Sequence, residues 1–250
     1  MQLLELGVIV DLAMFRPLAL ALPLLLLGAC VSTANVRRGL ERQWAADVLL
    51  GAESGGSRQG VVRWRKPVQF LVVDAAPRFR VAIDSAFAQL QQALAGVHLV
   101  ELEYVRGWDQ RIGQQGFVTV FATAPAEAAG LAQRLGAMTP GADADGWFTI
   151  SWNQSFELTR AVVFINPALE QRWLRHTTLE EMFQTLGPSN DSGLIADSLV
   201  YESDREFGSS EQLGRVDREV LRMLYAQLSP GSSQADIRHA MQSSWRYASE

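Results

Sequence analysis

Residues 179–191 read LEEMFQTLGPSND, and within them Glu180, Glu181, Gln184, Asn190 and Asp191 form the densest set of side chains able to do chemistry. Glu180 and Gln184 stand one helical turn apart and therefore share a helix face. Glu181 sits beside the first of them. Gly187-Pro188 ends such a helix and turns the chain so that Asn190 and Asp191 come back toward it. A carboxylate in that setting moves protons if a neighbour tunes it. An oxygen-only site for Ca²⁺ from Glu180, Gln184, Asn190 and Asp191 falls short of the six or more ligands that ion takes. Ser192, Ser198 and Ser203 have no histidine nearby in sequence to activate them, so a serine hydrolase is not indicated.

Each of these residues also has a plainer use. Leu179, Met182, Phe183 and Leu186 make the stripe of an amphipathic helix, which leaves Glu180 and Gln184 off the stripe, on a solvated face or paired within a cleft. Thr177 and Thr178 with Glu180 and Glu181 have capping-box spacing and offer a helix start. His176 reads as a helix-surface histidine. A metal ladder of His176, Glu180 and Gln184 is excluded, because its ends lie about 12 Å apart along a helix axis. Asn190-Asp191 is ordinary turn chemistry. Arg63, Arg65 and Lys66 around Trp64 read as a solvated strand end.

The elements that must position this helix are legible from periodicity. Residues 61–74 predict a strand whose apolar QFLVV run places it centrally in a sheet. Phe79, Ile83, Phe87, Leu90 and Leu94 predict a helix packed on one face. Strands are expected at 100–104, 117–122, 148–152 and 161–165, and residues 125–146 read as connection with a short helix near 126–135. The long helix spans about 168–186. A last one starts near Arg215, with Val216, Val220, Leu224 and Leu228 on one stripe and Pro230-Gly231 as its stop.

The front of the chain carries different chemistry. Residues 17–29, PLALALPLLLLGA, are an apolar run of 13, short of the roughly 20 needed to span a bilayer. Arg16 precedes it, whereas the first 13 residues hold Glu5 and Asp11 and no base, which points to Met14 as the translation start. Leu27-Gly28-Ala29-Cys30 resembles a bacterial lipobox, which implies cleavage before Cys30 and acylation of its thiol and new amino group. Val31 in place of an aspartate favours outer-membrane sorting, with the protein facing the periplasm. Several acyl chains anchor durably, at about 0.8 kcal/mol per buried methylene. Residues 31–50 have helical potential around Leu40, Trp44 and Val48, and the Gly- and Ser-rich stretch after them reads as a linker. The expected organisation is therefore a signal peptide over 1–29, a lipid-anchored segment and tether over 30–60, and one domain over 61–250.

The frame Glu180-Glu181-x-x-Gln184-x-x-Gly187-x-x-Asn190 is similar to the metzincin pattern His-Glu-x-x-His-x-x-Gly-x-x-His, with glutamate and glycine in register and all three histidine positions changed. Asp197-Ser198-Leu199-Val200-Tyr201 resembles the matrixin segment at the methionine turn, with Val200 in the methionine's place. Arg215-Val216-Asp217 and Leu224-Tyr225 are similar to the last matrixin helix. The same frame, with Asn190-Asp191 and the Asp217 to Tyr225 helix, resembles more closely a bacterial family catalogued as domain of unknown function 2927, common in secreted or lipid-anchored proteins. What the resemblance implies is an α+β, zincin-like fold: a mixed, twisted sheet packed against a central helix, with a further C-terminal helix. Zinc needs neutral imidazole, thiolate or carboxylate donors, and one carboxylate with two amides supplies them poorly. Without metal-bound water, Glu181 has no acidified proton to take.

Composition narrows the classes further. The 250 residues are 48% hydrophobic with net charge −5, one cysteine and three histidines, which argues against a nucleic-acid surface, a disulfide framework and a cysteine zinc site. The expected function is a lipid-anchored cell-envelope protein with a degenerate protease-like domain. Its residual cleft, lined by Glu180, Gln184, Asn190 and Asp191, is expected to bind a peptide or envelope component, with no cofactor and no metal. The alternatives are a divergent hydrolase using Glu181 as acid or base, and an assembly lipoprotein with no ligand site.

Overall fold

The computed structural model describes residues 33–51, 56–139, 141, 143–203 and 208–247. Met14, the apolar run, Cys30 and the linker residues 52–55 lie outside the described residues. The elements run α1 (Thr33–Leu50), β1 (Val68–Val73), α2 (Pro77–Leu94), β2 (Val100–Val105), β3 (Phe117–Ala122), α3 (Pro125–Leu135), β4 (Gly146–Trp152), β5 (Leu158–Ile165), α4 (Gln171–Gln184), α5 (Arg215–Ala226) and α6 (Gln234–Ser244). The fold is α+β, as expected. Among the described residues no helix is long and apolar enough to cross a membrane.

One five-stranded mixed sheet, in the order β2-β1-β3-β5-β4, organises the chain. β1, β2, β3 and β5 are parallel, and β4 returns antiparallel along β5 as an edge strand. β1 and β5 are covered on both faces, which is why VQFLVV and AVVFI are continuous apolar runs instead of alternating ones. On one face Phe70, Val120 and Ile165 meet Phe79 and Ile83 of α2 and Leu174 and Phe183 of α4. On the other, Leu71, Phe121 and Phe164 lie under Ala128 and Ala132 of α3.

Three expectations need correction. α1 is not a tether: Trp44, Val48 and Leu49 are wholly buried in the main core, and Trp44 packs on Trp245 with ring centroids 6.5 Å apart. The apolar stripe of that helix is one face of the core, so the folded unit starts within residues 33–50, and every described element lies after residue 32. The first strand is shorter than the expected 61–74 and keeps only its apolar run, because 61–67 leaves the sheet apart from an isolated Arg63–Glu157 bridge. α6 carries no strong stripe and escapes a periodicity search, although Ile237, Ala240 and Met241 are buried.

Candidate functional site

α4 starts at Gln171, so Thr177 and Thr178 are buried mid-helix residues and not its cap. The helix runs beneath the sheet edge, and its C-terminal carbonyls are satisfied from outside: Trp64 Nε1 donates to Thr185 O at 2.9 Å and Tyr225 Oη to Leu186 O at 2.8 Å. Gly187 then turns the chain at φ +127°. A Cβ there would stand 2.6 Å from Val62 O, so the turn needs glycine for both conformation and space.

The chain after the turn passes under the helix and comes back to it. Ser192 N donates to Val200 O at 3.0 Å. Leu199 and Val200 are fully buried. Asp217, in the first turn of α5, accepts from Ser198 Oγ at 2.8 Å, Leu199 N at 2.9 Å and Gly214 N at 2.6 Å. Burial pushes its carboxyl up to about 6, against the pull of those donors. Asp217 thus pins the loop that carries Tyr201 and Glu202 into the site.

The start of edge strand β4, helix α4 and this returning loop border a cleft of two adjoining hollows, of about 450 and 440 Å³, which share Gly146, Glu180, Glu181, Asp191 and Glu202. Gln184 and Asn190 line the smaller hollow. Trp173, His176 and Tyr201 line the other. Strand and helix approach closely: a Cβ on Gly146 would stand 2.4 Å from Thr177 Cγ2 and 2.8 Å from Glu181 Oε1. Among the described lining residues, five are acidic (Asp145, Glu180, Glu181, Asp191, Glu202) and none is lysine or arginine.

The frame residues share this cleft but do not act as one ligand set. Gln184 is buried and donates through Nε2 to Asp191 Oδ1 at 2.9 Å. Asn190 donates to Asp191 O at 2.7 Å and packs beside Gly51 at the end of α1. Glu181 is buried, 7% exposed. Glu180 stands 3.3 Å from His176 Nε2. The donor ends of both amides are turned to Asp191, and no group of three or more His, Cys, Asp or Glu among the described residues is placed to hold a metal ion. One carboxylate and two amides turned to Asp191 do not fit zinc.

His176 corrects the surface reading. It is 5% exposed, and its Nδ1 lies 2.8 Å from Ser210 O. Its backbone carries it into the space between α4 and the 208–210 segment, which only the tertiary fold reveals. Burial opposes its protonation, but the Glu180 carboxylate and the Ser210 carbonyl hold its pKa above the ordinary histidine value. Arg63 is likewise no solvated strand end: Nη1 donates to Leu224 O at 2.8 Å and also reaches Tyr225 O and Leu228 O, capping α5. Arg58 ties the Gly187 turn to α1 through Ser189 Oγ at 2.5 Å and Leu49 O at 2.9 Å. Asp145, Gly146, Trp173, Tyr201 and Glu202 were not foreseen as cleft residues. Their one sequence signal is position, just before a strand, within a helix or just past a turn, and their convergence is tertiary.

A family model described as protein of unknown function (DUF2927) matches residues 40–243, and the chain belongs to that family. No curated protein matches it. The matched stretch includes most of α1, in keeping with the packing of that helix into the core.

Proposed function

We propose that this member of the DUF2927 family is a lipid-anchored bacterial cell-envelope protein whose zincin-like domain is catalytically silent and holds an extended, positively charged peptide segment in its cleft. The observation that carries this reading is that edge strand β4 starts at the acidic cleft, with Asp145 and Gly146 among the lining residues. An edge strand presents unpaired N–H and C=O groups to an added strand, and neighbouring pockets select its side chains. Five carboxylates, with no lysine or arginine among the described lining residues, favour lysine or arginine in those pockets. The mixed sheet, the central helix, the glycine turn and the returning loop support the zincin-like assignment. Glu181 keeps its position in the frame, but one carboxylate and two amides at the histidine positions are a poor donor set for the zinc that would acidify a water for it. Cys30 is the anchoring residue, on the strength of the lipobox-like Leu27-Gly28-Ala29-Cys30 behind an apolar run.

Fluorescence anisotropy with labelled short peptides of matched length and varied charge tests the reading. Lysine- and arginine-containing peptides are expected to bind and glutamate-containing ones not. Asp145→Asn and Glu202→Gln are each expected to weaken binding about two- to fivefold, the range of an exposed ion pair. The bound peptide is expected to stay intact. Cleavage that disappears in Glu181→Gln, or one tightly bound zinc per chain that is lost in Glu180→Ala, would overturn catalytic silence.

A further inference from the structure

The basic end of the domain points to a second surface, away from the cleft. α1 begins at Thr33, three residues after Cys30, and three extended residues span no more than about 10 Å. The helix cannot swing free, because Trp44, Val48 and Leu49 are buried and Glu41, fully buried, is gripped by Arg37 at 3.0 Å, by Arg215 and by Trp245 Nε1 at 2.7 Å. Whatever holds Cys30 therefore also fixes which side of the domain faces it.

That side is rich in arginine on a chain whose net charge is −5. Arg37, Arg38, Arg42, Arg215 and Arg246 gather around the first turns of α1, the start of α5 and the end of α6. Among the described residues three acids stand with them, Glu41, Asp197 and Glu219. Glu41 is neutralised by Arg37 and Arg215, and Asp197 is paired with Arg37 at 3.0 Å. Arg38, Arg42 and Arg246 are exposed and have no carboxylate partner among the described residues. Tyr247 organises two of them: the Arg38 guanidinium lies 5.2 Å from its ring centroid and Arg42 Nε donates to its hydroxyl at 3.3 Å. Val36 beside them is 52% exposed.

We propose that this end of the domain lies against an anionic membrane surface, with Arg38, Arg42 and Arg246 facing lipid phosphates. The orientation rests on the anchoring of Cys30, since acyl chains there bring the first turns of α1 within about a Debye length of the headgroups, roughly 8–10 Å. The acyl anchor holds the chain at the membrane and the basic patch sets its orientation, because each basic residue near an anionic leaflet contributes about fivefold in affinity.

The test uses the chain from residue 31 onward, which contains every described element and carries no acyl group. It is expected to sediment with vesicles containing phosphatidylglycerol, to ignore pure phosphatidylcholine vesicles, and to be released by high salt. The triple variant Arg38→Glu/Arg42→Glu/Arg246→Glu is expected to lose at least tenfold in binding with an unchanged melting midpoint, and the triple glutamine variant to fall between it and wild type. Equal binding to both vesicle types, no binding to either, or a triple glutamate variant that binds like wild type would overturn the proposal. Palmitate labelling of the full chain, compared with Cys30→Ser, tests the anchor separately: absence of label removes the anchoring reading while the vesicle result still decides the surface.

Discussion

Asp217 and His176 show how single groups tie the cleft together. Asp217 has a folded-state pKa of about 6 against an ordinary 3.8. Between those values the folded protein holds a proton that the unfolded chain has released, so the group's contribution to stability is complete below about pH 4 and is lost as pH rises toward 6. Asp217→Asn keeps an acceptor for the Leu199 and Gly214 N–H groups and offers a donor to Ser198 Oγ. It is expected to fold and to remove this decline in denaturation curves taken between pH 4 and 7. Asp217→Ala leaves the buried Leu199 N–H and the half-buried Gly214 N–H without this acceptor and is expected to cost about 2–4 kcal/mol. For His176 the shift is also upward. The stability it lends is present below about pH 6.5 and is lost as pH climbs through the raised folded value. Glu180→Gln is expected to lower the His176 pKa, read from the imidazole proton shifts in an NMR titration. An unchanged titration would mean that the 3.3 Å contact does not govern the ring.

At the scale of elements, α1 and β4 determine how the cleft is built. If α1 is integral, Trp44→Ala is expected to destabilise the protein by about 3–5 kcal/mol, the usual cost of deleting a buried indole. A dispensable tether would leave the denaturation midpoint where it was. The strands, α2, α4 and α5 were legible in the sequence because each owes its position to an apolar run or stripe that periodicity exposes. α1 was legible as a helix but not as core, since its buried side becomes apparent only when Trp245 and Arg215 arrive from the far end of the chain. The candidate site was half legible. Glu180, Glu181, Gln184, Asn190 and Asp191 are marked by spacing on one helix and its glycine turn. Gly146, Trp173, Tyr201 and Glu202 join them through strand pairing and loop return, and no local pattern signals that. Thr177 and Thr178 matched a capping box but lie mid-helix, because the packing of Leu174 into the core starts α4 earlier than its cap chemistry suggested.

For the whole molecule, α1 connects two surfaces of opposite charge. Its first turns carry the arginine cluster, and its last residue, Leu50, precedes Gly51, which packs against Asn190 at the cleft. Eighteen residues of helix separate those ends by about 27 Å. A membrane-bound domain would thus hold its acidic cleft off the bilayer, open to a cationic segment of a neighbouring envelope protein. The most direct test of that account is amide hydrogen exchange across the whole chain with and without a lysine-rich peptide. Slowed exchange in β4, Gly146–Trp152, with β2 at the opposite sheet edge unaffected and the peptide recovered intact, is the result predicted. Unchanged exchange in β4 at saturating peptide, or protection confined to β2, would contradict it.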